Sequence, residues 1–70
     1  MNWNLEGLKV EAVYLGEVPV VGRVEESRVA YGGGIKHTVV LDTPVTMRWR
    51  SEPADRLIVD HETVSRVFSN

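Results

Sequence analysis

Seventy residues without a cysteine make one small domain with no disulfide, no thiolate zinc site and no cysteine nucleophile. A domain of this size buries only ~60% of the surface its unfolded chain exposes, so its core has little to spare. Ten acids against eight bases, spread along the chain for a net charge of −2, create no overall field to draw in nucleic acid or an anionic membrane.

Apolar runs reach only three to four residues, far short of the ~20 that span a bilayer. The opening Met-Asn-Trp-Asn-Leu-Glu lacks the basic and apolar regions of a secretory signal, so an intracellular, cytoplasmic place is expected and no membrane partner. Thirteen valines, with isoleucine, threonine and aromatics, bias the chain towards strands. No window carries apolar residues at helical spacing with caps at both ends.

Residues 1–7 read as an N-terminal extension, with Trp3 either plugging the fold or exposed as a docking residue. Leu8, Val10, Ala12 and Tyr14 then alternate with Lys9 and Glu11, the period of a half-buried strand. Gly16-Glu17 signals a turn, and Pro19 belongs at a strand start or edge. In the next run Val18, Val20, Gly22 and Val24 share one parity, while Val29 and Tyr31 share the other. A period-two element changes parity only by bending or taking in an extra residue, which predicts a bulge at Glu25-Glu26-Ser27.

Gly32-Gly33-Gly34 joins that strand to a third, Ile35–Leu41. The triplet is the bend of a hairpin and not a phosphate loop. No GxxxxGK[ST] opens a helix here, and the third glycine of a dinucleotide fingerprint would fall at His37. Asp42-Thr43-Pro44 is a tight turn or a second bulge. Val45, Met47 and Trp49 alternate with Thr46, Arg48 and Arg50, another amphipathic strand. After the polar loop 51–55 come a short strand at Arg56–Val59, a single irregular or 3₁₀ turn at Asp60-His61-Glu62, and a terminal strand at Val64–Phe68.

The expectation is an all-β domain of about five or six short strands, in one strongly bent sheet closed as a small barrel to protect its edges. This order, with a long kinked second strand and a one-turn link before a short closing strand, resembles the SH3-like and Sm-like small barrels. Gly22-Arg23-Val24 is similar to the Gly-x-apolar step in the second strand of Sm-like proteins. The likeness is to a superfold. The RNA-binding signatures of Sm-like proteins and the aromatic, acidic-loop set of peptide-binding SH3 domains are absent.

Three groups of residues invite functional readings. Arg48-Trp49-Arg50 has the composition of a phosphate-and-stacking surface, but strand geometry sends Trp49 to the core and both arginines to the solvated face, unless a bulge at Pro44 inverts the parity. Tyr31, Lys36 and His37 surround the glycine hairpin, where an aromatic beside two cations could read a base or a carboxylate. His37 with Asp60, His61 and Glu62 has metal-binding types but no zinc spacing, and extended chain points His61 away from its neighbours.

No serine lies in a G-x-S-x-G context, and a domain this small offers little room for a substrate pocket. The sequence therefore points to a non-enzymatic interaction module without cofactor or metal. It would bind a protein partner or copies of itself through sheet edges, with Tyr31, Lys36, His37, Arg48, Trp49 and Arg50 as candidate contacts. The alternative is a nucleic-acid-binding barrel with an arginine and aromatic surface.

Overall fold

The computed structural model describes residues 3–68. Within them run five strands, β1 (Lys9–Tyr14), β2 (Val18–Val29), β3 (Ile35–Val45), β4 (Ala54–Asp60) and β5 (Val64–Phe68), with a 3₁₀ turn, η1 (His61–Thr63), between the last two. All pair antiparallel in one sheet of order β4-β3-β2-β1-β5. The all-β expectation holds, and so does the link before β5. No helix among the described residues is long and apolar enough to cross a membrane.

Alternation places Val10 and Ala12 of β1 and Val20 and Val24 of β2 inside, each at most 3% exposed. Between them Gly22 is a requirement of packing. A Cβ there would collide with the Val40 carbonyl oxygen and lie 2.8 Å from Val39 Cγ1. Only glycine lets β3 come this close to β2. Two residues after Gly22 the β2–β3 register slips: Val24 faces Val39, but Glu26 faces Thr38. Glu25 is the extra residue, at the predicted bulge, and it moves the inward parity to Ser27.

What that parity carries differs from expectation. Val29 and Tyr31 are 53% and 107% exposed, and the buried pair is Ser27 with His37. The reason is coverage. β1 pairs with β2 only as far as Arg23, and β4 with β3 only as far as Lys36. The hairpin arm beyond those residues has no strand on either flank.

The Asp42-Thr43-Pro44 interruption is a bulge, since β3 runs on to Val45 while its register with β4 jumps from Val40–Arg56 to Val45–Ala54. The expected strand through Trp49 does not form. Met47–Arg50 is a turn, with the Arg50 N–H donating to the Met47 carbonyl at 3.0 Å. That turn ends the alternation, so Met47 is buried and Trp49 is not. β4 starts at Ala54, two residues before the predicted Arg56.

The sheet does not close into the expected barrel. Among the described residues no ladder joins β4 to β5, and the sheet has two free edges. Three residues of η1 connect these opposite edges, so the sheet curls until they approach. The connection is spent on a turn, though, and β5 slips register between Glu11 and Ala12, pairing no further along β1 than Ala12. A seam remains where closure was expected.

Of the N-terminal extension, Met1 and Asn2 lie outside the described residues. Leu5, not Trp3, fills the core: it is 7% exposed and Trp3 is half-buried. The Gly7 N–H donates to the Val24 carbonyl at 2.8 Å, and the Val24 N–H to the Leu8 carbonyl at 2.9 Å, pinning the segment beside the bulge.

Candidate functional site at the open seam

The sequence-predicted contacts do not converge. Tyr31 and Lys36 lie at the β2–β3 hairpin, whereas Arg48, Trp49 and Arg50 follow the opposite end of β3. Two of the cations are engaged within the chain. Lys36 pairs with Asp60 across β3–β4. Arg48 Nη2 donates to both oxygens of Glu17 at 3.0 and 3.2 Å. Lys9–Asp42 and Arg56–Glu25, both 2.8 Å, extend this pattern over the outer face.

His37 is wholly buried, out of reach of a partner. The Leu5 N–H donates to Ser27 Oγ at 3.0 Å, and Ser27 Oγ lies 2.7 Å from His37 Nδ1. That oxygen accepts from Leu5 and still has its own hydrogen and a second lone pair, so its bond with Nδ1 runs in the direction that the His37 tautomer sets. His37 Nε2 shares one hydrogen with His61 Nδ1 at 2.8 Å, one ring nitrogen donating and the other accepting. The Ser27 N–H completes the joint by donating to Glu6 Oε2 at 3.0 Å. Burial, and secondarily the charge His61 would carry, hold the His37 pKa below its usual 6.5.

A serine in line with two histidines is the skeleton of an activated nucleophile. Here the hydroxyl is buried and already accepts a backbone N–H, so the chain of bonds ties four segments together and offers no open face to a substrate. The two histidines do meet, but as donor and acceptor. Among the described residues no three histidine or acidic side chains are placed to hold a metal.

The seam shows a different chemistry. Where the end of β1 faces the end of β4 lies a cavity of about 260 Å³, lined among others by Val13, Tyr14, Leu15, Ile58, Val59 and Thr63. In the three-residue connection between the paired Tyr14 and Val18, Leu15 and Gly16 are the central residues of a turn closed by the Glu17 N–H donating to the Tyr14 carbonyl at 3.1 Å. Both have positive φ, 52° and 73°, the signature of a type I′ hairpin turn. Leu15 is 67% exposed, Ile58 49% and Val67 44%. Val67 sits opposite the fully buried Val10 on β1, so it belongs to the inner face at a free edge.

None of Leu15, Ile58 and Val67 stood out in the sequence. The one legible signal was Tyr14-Leu15-Gly16-Glu17, where a hairpin turn places leucine at a position favouring asparagine, aspartate or glycine. No protein-family model matches this chain, and no curated protein or solved structure matches it.

Proposed function

We propose that the protein is a non-enzymatic interaction module that binds protein, another chain or its own copies, by strand addition at the open seam. The observation that carries this reading is the pair of free edges on β4 and β5, held close by a three-residue link. Each edge presents a row of backbone donors and acceptors to any extended chain. An entering strand would pair with these edges, cover Val67 and Ile58, and complete the SH3-like or Sm-like barrel that the order of elements resembles.

Nucleic-acid binding is less well supported. Its candidate residues lie at opposite ends of β3, and Lys36 and Arg48 are in ion pairs. Screening a library of extended peptides by amide-shift NMR tests the proposal. Binders are expected to shift β4 and β5, and Val67→Lys, an inward charge at the edge, is expected to abolish their binding. Binders that map to Tyr31 or Trp49, or no binder at all, would overturn it. Salt-sensitive affinity for single-stranded DNA or RNA would favour the alternative.

A further inference from the structure

We propose that the seam cavity receives Leu15 from a second copy of this chain, two protomers docking about a two-fold axis with each β1–β2 turn in the other's cavity. The inference rests on the seam being a docking face, and it names the occupant.

Leu15 is the starting point. Its φ of 52° is one that bulky side chains rarely adopt, and asparagine or glycine would serve the turn better. Yet its side chain is mostly in water. The residue accepts an unfavourable backbone conformation without the return of burial inside its own chain. Strain of this kind points to a role outside the fold.

The cavity supplies the complement. At about 260 Å³ it falls below the ~300–1,000 Å³ usual for small-molecule sites, but it admits an aliphatic side chain against Val13, Ile58 and Val59. Knob and hole also share one surface, since Leu15 is itself among the residues that line the cavity. A two-fold contact needs this arrangement, because the same patch must be complementary to itself.

Charge raises no barrier. Asp60, on the cavity wall, is paired with Lys36, and Glu17, beside the turn, with Arg48. Two copies therefore meet without opposing bare carboxylates. Burying Leu15 and Ile58 in a dimer would also add apolar area to a fold whose own core is small.

Leu15→Asn is the decisive variant, because it installs Asn-Gly, the preferred pair for this turn. Sedimentation and light scattering across a concentration series should show a wild-type dimer and at least a ~10-fold weaker association for Leu15→Asn. Under dilute, monomeric conditions the same variant should melt a few degrees higher, about 2–6 °C. In mixed-labelled samples, NOEs should join the Leu15 methyls of one protomer to Ile58 and Val13 of the other.

A wild-type chain that stays monomeric at millimolar concentration would overturn the proposal. So would a Leu15→Asn variant that dimerises unchanged or melts lower. Val67→Lys separates this contact from strand addition, since it blocks the edge and leaves the turn and cavity intact. If Val67→Lys dimerises normally and Leu15→Asn does not, the Leu15 contact stands without the edge. The reverse pattern keeps the edge and removes the Leu15 contact.

Discussion

The two hairpins of this sheet solve one problem in opposite ways. Between β2 and β3, positive φ falls on Gly32 and Gly33, at 97° and 95°, where it costs almost nothing. Tyr31 is fully exposed there, but it is not among the strained residues. Between β1 and β2 the same demand falls on Leu15. What lies beneath also differs. The β2–β3 arm rests on the joint of Ser27, His37 and His61, and among the described residues every buried side-chain polar atom has a partner. The β1–β2 turn stands beside a cavity of mixed lining, with Val13, Ile58 and Val59 next to Asp60 and Thr63. An exposed aromatic on a relaxed turn is ordinary. An exposed leucine on a strained one calls for a reason beyond the chain.

The largest effect should come from a glycine that packing requires and no φ explains. Gly22→Ala puts a methyl into the Val40 carbonyl oxygen, a backbone group that cannot swing aside. We expect a loss of about 3 kcal/mol or more, read as a fall in the urea midpoint. A smaller loss would mean that β2 and β3 can part at this point. The tight bend that brings the two edges near each other would then be soft.

Gly33→Ala turns to φ itself and should cost about 1–2 kcal/mol. A Cβ there meets nothing within 4 Å, so the whole effect is conformational. This measurement calibrates the other turn directly. If alanine is free at 95°, the strain assigned to Leu15 loses its energetic basis. If it costs the expected amount, the gain predicted for Leu15→Asn has a measured counterpart in the same molecule.

Local features of the fold could be read from the chain because a single residue's parity decides them. The slip from Val24 to Ser27, the three-glycine bend and the one-turn link were all visible as breaks in alternation. Trp49 departs from its expected place because nothing in Val45-Thr46-Met47-Arg48-Trp49-Arg50 marks where the strand stops: the turn closed by the Arg50 N–H on the Met47 carbonyl contains no glycine or proline to announce it. Closure is not legible in alternation because it depends on whether two edges meet, which is a matter of register far along the chain. The contact between His37 and His61 spans 24 residues and exists only once β3 and η1 have been brought together. At the candidate site the sequence offered cations and aromatics, which attract attention by type. Leu15, Ile58 and Val67 look like core residues, and only their failure to be covered sets them apart.

Acid should separate the two hairpins, with an effect that vanishes near neutrality. His37 has its pKa held below 6.5, first by burial and then by the charge His61 would carry. The unfolded chain therefore takes up its proton at higher pH than the folded one. Stability from this group is complete above about 6.5 and is lost as pH falls through the lowered folded value. The geometry gives the reason: the 2.8 Å contact between Nε2 and Nδ1 holds one proton, and protonating both rings sets two N–H groups against each other. The charged groups on the surrounding segments are Glu6, bonded to the Ser27 N–H, the Lys36–Asp60 pair, exposed Arg28 and Glu26 on β2, and Glu62 on η1. Lowering the pH from about 7.5 to about 4.5 should speed amide exchange in the β2–β3 arm, η1 and β5 before the β1–β2 turn responds. His37→Phe should flatten that pH dependence while lowering stability throughout, since Ser27 and His61 lose their partner. Equal loosening of both hairpins would show that the polar joint does not hold its arm independently. The contrast between them would then be one of turn chemistry alone.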